Sequence, residues 1–111
     1  MADHANEEDA DFEVDRRDEQ GVAVFLVAGE LDLETAPTLR HRLHQALDGG
    51  EAHLVVDLSE LSFIDSTGIS VLVESLKQAQ RAGGSLVLRN PTPAVRRVLD
   101  ITGLLGTFGL D

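Results

Sequence analysis

Phe12, Val14 and Arg16 alternate with the charged Glu13, Asp15 and Arg17, and this period of two predicts a half-buried β-strand. The polar run Asp18-Glu19-Gln20-Gly21 reads as a turn. Val22 to Ala28 is then almost wholly apolar and rich in β-formers, the pattern of a strand covered on both faces. A hairpin joins the two. Beyond the segment Gly29-Glu30-Leu31-Asp32-Leu33-Glu34 the period changes. Leu39, Leu43, Ala46 and Leu47 fall at i, i+4, i+7 and i+8, one stripe of a helix. Thr35 stands at its N-cap position and Pro37 in its first turn, where a missing N–H costs little. Gly49-Gly50 stops it.

The same alternation of patterns repeats along the rest of the chain. His53 to Leu58 is a short buried strand, and Ser59 to Ile64 leads from it to Asp65-Ser66-Thr67-Gly68. Ile69, Leu72, Val73, Leu76 and Ala79 follow at helical spacing. Lys77 and Arg81 lie toward the C-terminal end of that helix, the favourable side for cations, and Gly83-Gly84 ends it. Ser85 to Arg89 is a further strand. Asn90-Pro91 turns the chain, Thr92 is an N-cap and Pro93 opens a third helix, whose apolar face is Val95, Val98 and Leu99. Gly103 ends it, and Leu104 to Leu110 is read as a short final edge strand around Phe108. The order is ββαβαβα, with that possible last strand. Strands separated by helices imply right-handed crossovers and parallel pairing, and the opening hairpin makes the sheet mixed. The fold class is α/β.

Length and charge narrow the picture. The chain has 111 residues, enough for one core and not two. It contains no cysteine, which removes disulfides and thiolate metal sites and fits a reducing compartment. No apolar stretch approaches the ~18 residues of a membrane span. The acidic opening, MADHANEEDADFE, lacks the basic and apolar regions of a signal peptide, so a cytoplasmic location is expected. The net charge of −11 argues against nucleic acid or an anionic membrane as partner. Residues 1–13 hold six acids (Asp3, Glu7, Glu8, Asp9, Asp11, Glu13) and no Lys or Arg. Residues 1–10 are therefore expected to be a solvated, disordered acidic tail serving solubility first, and residues 11–111 the folded domain.

Candidate chemistry concentrates at Phe63-Ile64-Asp65-Ser66-Thr67-Gly68-Ile69. Ser66 falls at or next to an N-cap, where a serine ordinarily accepts a hydrogen bond from a first-turn N–H. Gly68 inside the first turn is costly as a helix residue but opens access to the backbone. A catalytic Ser66 would need a base within reach. His4, His41, His44 and His53 form no triad motif with it, and Asp-Ser-Thr-Gly is not a nucleophile elbow. Phosphorylation suits the position better. Free N–H groups and the partial positive charge at a helix start accommodate a phosphate, at a gain of about 0.3–1 kcal/mol partly offset by Asp65. A partner packed there would meet about −1.5 to −2 added charges. His41 and His44, at i and i+3, have no supporting carboxylate or thiolate cluster, so no metal is expected. Gly83-Gly84 lacks the lysine and spacing of a phosphate-binding loop.

Three pieces of the chain together resemble the STAS domains, and among them the bacterial anti-sigma-factor antagonists. They are Gly29-Glu30-Leu31-Asp32 with Thr35-Ala36-Pro37, His53-Leu54-Val55-Val56-Asp57-Leu58, and Phe63-Ile64-Asp65-Ser66-Thr67-Gly68, in the family's order over about Phe12 to Phe108. The resemblance implies a non-enzymatic domain with no cofactor. Unphosphorylated, it binds an anti-sigma factor that is also a serine protein kinase, and so frees a sigma factor. The kinase phosphorylates the motif serine, here Ser66, and a PP2C-type phosphatase restores it. It also implies partner contacts at Asp32, Asp65, Thr67, Gly68 and Ser70. Asp32 can equally be a solvated turn residue, and Asp65 a charge complementing the helix dipole. Thr67 ranks behind Ser66 as an acceptor. The alternative is a STAS scaffold or ligand-binding subunit of a larger signalling complex. The acidic extension and the Gly-rich C-terminus depart from the family core, and neither touches the motif.

Overall fold

A computed structural model describes residues 12–110; the acidic tail expected over residues 1–10 lies outside them. The described chain runs β1 (Glu13–Glu19), β2 (Val22–Leu31), α1 (Ala36–Asp48), β3 (His53–Ile64), α2 (Ser66–Arg81), β4 (Ser85–Arg89) and α3 (Pro93–Ile101). The four strands form one sheet in the order β1-β2-β3-β4. β1 pairs antiparallel with β2, while β2–β3 and β3–β4 are parallel. This is the expected ββαβαβα mixed sheet.

The β1–β2 hairpin turns on Gln20 and Gly21, with φ of 54° and 83°. Positive φ at both central residues suits the twist of a two-residue hairpin, and glycine supplies the second at little cost. Past the turn, one face of the sheet builds the core. Ala23, Phe25 and Val27 of β2, Leu54, Val56 and Leu58 of β3, and Leu86 and Leu88 of β4 pack with Leu39 and Leu43 of α1, Leu72 and Leu76 of α2, and Val95 and Leu99 of α3.

The expectation that β2 is covered on both faces holds along its apolar run, while cover on the reverse face thins toward β4. Val24 is 1% exposed, but Val87 is 39% exposed, and Leu26 and Val55 are half-buried. Arg89 bridges strands on this face. From β4 its guanidinium donates to Asp57 of β3 (Nε–Oδ2, 2.8 Å) and to Glu19 of β1 (Nη1–Oε1, 3.1 Å). The guanidinium thus ties β4 to β3 and to β1 across this face.

β2 and β3 are longer than their apolar runs predict. Strand pairing continues through Ala28–Glu60, Gly29–Leu61, Glu30–Phe63 and Leu31–Ile64, with register irregularities between Leu26 and Ala28 and between Gly29 and Glu30. Gly29 takes φ of 105° at the second, a conformation open to glycine. In this stretch the buried residues of β3 are Leu58, Leu61 and Ile64, three apart, so no period of two advertises a strand.

The final strand expected around Phe108 is not formed. Residues 104–110 fold into successive turns, with Phe108 N–H donating to Leu104 O and Leu110 N–H to Leu105 O. These local bonds, and Gly109 at φ of 76°, bend the segment back on itself. It still seals β4: Phe108 is fully buried and its carbonyl accepts from Leu88 N–H at 3.3 Å. Thr92 caps α3 as expected, accepting from Val95 N–H at 3.4 Å, and its hydroxyl donates to Leu61 O at 2.8 Å, which ties the helix to β3.

Candidate functional site

β2 and β3 run parallel, so the loops leaving them emerge at the same end of the sheet, where α/β folds present their functional groups. The β2–β3 pairing carries on to the start of both loops, where Asp65 N–H donates to Leu31 O at 3.1 Å. The segments Gly29–Ala36 and Phe63–Gly68, joined by residues 34 positions apart in sequence (Leu31 and Asp65), thereby become one surface.

The first loop is locked from within. Asp32 accepts through Oδ1 from the N–H groups of Glu34 (3.0 Å) and Thr35 (3.1 Å), the self-bonding that suits aspartate to turns. Thr35 occupies the N-cap position, but its hydroxyl makes no cap bond. It reaches backward instead, donating to Glu30 O at 2.7 Å and accepting from Asp32 N–H at 2.9 Å. Both contributions hold the loop, while Asp32 stays half-buried at the surface.

In the second loop the cap is Asp65, whose Oδ1 accepts from Gly68 N–H at 3.0 Å. Ser66 is the first helical residue of α2 and is exposed. Its hydroxyl has no partner among the described residues, and neither do the backbone N–H groups of Ser66 and Thr67. The result is an accessible hydroxyl beside undischarged donors at the positive end of a sixteen-residue helix. That environment tolerates a phosphate.

Of the other expected contact residues, Ser70 is exposed and Thr67 half-buried. Gly68, also implied as a contact residue, is buried in the chain itself. A Cβ there would lie 2.7 Å from Leu31 Cγ and 3.0 Å from Ile64 Cγ1. Its role is to let α2 approach the ends of β2 and β3, and that contact sets where Ser66 stands.

Two residues at this end escaped the sequence reading. Leu33 is 73% exposed and Phe63 47% exposed, both large apolar side chains beside the two loops. Phe63 faces away from its buried neighbour Ile64 because adjacent strand residues point opposite ways, but no period of two marked that stretch as a strand. Leu33 gave no signal either, because it continues the alternation of Leu31.

Elsewhere, His41 is exposed on α1, and the Nε2 of His44 is buried without a hydrogen-bond partner among the described residues. No group of three or more His, Asp or Glu is placed to hold a metal ion among the described residues. No described helix is long and apolar enough to cross a membrane.

Four strands, three helices on a common core and two adjoining loops that expose a helix-opening serine define a small mixed α/β domain. Residues 13–111 match the model of the STAS domain, and the chain belongs to that family. It is 42% identical over 78 residues to an anti-sigma-B factor antagonist of Bacillus subtilis, covering 70% of this chain and 71% of that one. The crystal structure of an anti-sigma factor antagonist from Mycobacterium paratuberculosis superposes with a TM-score of 0.75 at 34% identity, over 87% of this chain and 82% of that one. The antagonist SpoIIAA of Bacillus is 26% identical and matches in its unphosphorylated form (TM-score 0.74; 87% and 84% covered) and its phosphorylated form (TM-score 0.68; 87% and 86% covered).

Proposed function

We propose that this chain is an anti-sigma-factor antagonist switched by phosphorylation of Ser66. Unphosphorylated, it binds an anti-sigma factor that is also a serine kinase. That kinase phosphorylates Ser66 and is released, and a PP2C-type phosphatase resets the domain. The chain performs no catalysis of its own in this cycle, which runs in the cytoplasm. The observation that carries the reading is the exposed Ser66 hydroxyl beside unpaired first-turn N–H groups. Relatives named as antagonists of anti-sigma factors, one of them solved in a phosphorylated form, support it.

The switch follows from magnitudes. At the helix start the added charge falls on free donors, so the fold tolerates it. In a packed contact beside Asp32 and Asp65, the same charge meets carboxylates and desolvation. A loss of ~2.7 kcal/mol already lowers affinity a hundredfold. Asp32, Asp65, Thr67 and Ser70 are the contact residues in this reading, with Leu33 and Phe63 as apolar neighbours and Gly68 as the positioning residue.

The test incubates the chain with ATP and the anti-sigma kinases of the same genome. Labelled phosphate is expected on wild type and on Thr67→Ala but not on Ser66→Ala, and the labelled protein should bind its kinase at least about a hundredfold more weakly. Label retained by Ser66→Ala overturns the assignment. Self-assembly indifferent to Ser66 would instead favour the scaffold reading.

A further inference from the structure

The two edges of the sheet end differently. On the β4 side, residues 104–110 close the edge, with Leu88 N–H bonded to Phe108 O. On the β1 side no strand or turn pairs with the outer side of the strand among the described residues. A side chain reaches it from α1 instead. Arg42 Nη1 donates to Val14 O at 2.8 Å, and its guanidinium carbon lies 5.8 Å from the centre of the Phe25 ring. Arg16 lies over the same ring, also at 5.8 Å.

Val14 O therefore points away from β2. Residues alternate along an antiparallel ladder, so Arg16 and Asp18 also turn their N–H and C=O groups to the open side. Such a row is a template for another strand. A second copy of β1 can lie against it antiparallel, about a two-fold axis through the sheet. Faces must match across that join, so Val14, Arg16 and Asp18 meet residues of their own set, and Glu13, Asp15, Arg17 and Glu19 meet theirs. Three registers then pair five or more of the seven residues of β1. In the first, Glu13 opposes Glu19 twice and Arg16 opposes its counterpart, against two Asp15–Arg17 pairs. In the second, Asp15 opposes Glu19 twice and Arg17 opposes its counterpart, against two Arg16–Asp18 pairs. Like charges directly opposite destabilise a join, and in both registers clashes outnumber attractions. The third has two Glu13–Arg17 attractions and one clash, between the two Asp15 side chains. There Val14 pairs with Arg16, so the incoming strand must bond to Val14 O, the carbonyl that Arg42 occupies.

We propose that the outer edge of β1 is a latent pairing surface for a second copy of this chain, and that Arg42 holds it shut. Charge rejects two registers and Arg42 obstructs the third, so the domain stays single. The lock involves neither Ser66 nor the loops beside it, and it stands whether or not Ser66 is phosphorylated.

The experiment follows self-association of the full chain by analytical sedimentation over a concentration series. Arg42→Met keeps an unbranched stem beside Phe25 and removes the donors to Val14 O. It is expected to dimerise at least about tenfold more tightly than wild type. Adding Arg17→Glu turns both attractions of the permitted register into clashes and should abolish the dimer. Adding Glu13→Arg to that variant restores the attractions with their signs exchanged, and the dimer should return. Thermal unfolding checks each variant, and the shorter, uncharged Arg42→Gln decides the matter if Arg42→Met does not fold. An Arg42 variant that folds and associates no more than wild type overturns the proposal. So does a dimer indifferent to the exchange at positions 13 and 17. A chain lacking residues 1–11 that dimerises with Arg42 in place also overturns it, since the N-terminal segment would then be what guards the edge.

Discussion

At the residue scale, the site depends on two neighbours of Ser66 with separable duties. Asp65 caps α2 through Gly68 N–H, so Asp65→Ala is expected to lower stability by about 1 kcal/mol in denaturant titration. Asp65→Asn keeps the acceptor and removes the charge, and should stay within a few tenths of a kcal/mol of wild type by the same measurement. Any effect of Asp65→Asn on partner binding then reports charge alone. Gly68 tests packing. Alanine there improves helix propensity by ~1 kcal/mol, but its Cβ meets Leu31 Cγ at 2.7 Å, close to that side chain's root. Overpacking of this kind costs about 1–3 kcal/mol, so Gly68→Ala should be net destabilising in a thermal melt. A stabilised variant would show that α2 does not sit against Leu31. The Asp-Ser-Thr-Gly motif was legible in the sequence, because capping and helix initiation act over three or four residues. That Gly68 is buried was not, because the side chains that bury it come from two strands.

At the scale of elements, the helices matched their apolar spacing, while β2 and β3 outgrew theirs. A helix satisfies its own hydrogen bonds four residues away, so its bounds are written locally in stripes, caps and glycines. β2 and β3 extend to Leu31 and Ile64 because each supplies the other's partners, and no local period records that. The loop after β2 shows the same dependence. Thr35 looked like a helix cap, yet its hydroxyl closes the loop onto Glu30 O and Asp32 N–H. Thr35→Val keeps the shape and removes both bonds, at an expected cost of about 1–2 kcal/mol. Amide hydrogen exchange should then rise at Asp32 while the middle of α2 keeps its protection. Uniform loss of protection would indicate global destabilisation instead. Gly84 marks a further joint between elements, since a Cβ there would lie 1.9 Å from Ala52 O, a backbone atom with little freedom to yield.

Across the whole molecule, Asp57, Arg89 and Glu19 clasp three strands over the reverse face of the sheet. Asp57 is 5% exposed. Burial pushes its carboxyl upward, but hydrogen bonds from Arg89, Ser59 and Asn90 together outweigh burial and hold it at about 2, below the ordinary 3.8. A carboxyl depressed in the folded state adds stability that is complete above its unfolded value and disappears as pH falls through its folded one. Ionised Asp57 therefore contributes on the order of 2 kcal/mol above pH ~4, lost as pH drops toward ~2. In denaturant titrations across that range, wild type should lose more stability than Asp57→Asn by about that amount, and parallel curves would show that the clasp carries no linkage. Taken alone, the sequence determined the seven elements, their order, the mixed sheet and the serine that opens α2, since period, caps and turns are properties of neighbouring residues. Tertiary structure alone decided where β2 and β3 end, the union of the two loops through Asp65 and Leu31, the burial of Gly68, the clasp across the sheet and the turns that seat Phe108. Each of those needs partners that the chain brings together only on folding, and pairing between distant residues leaves no period along the sequence.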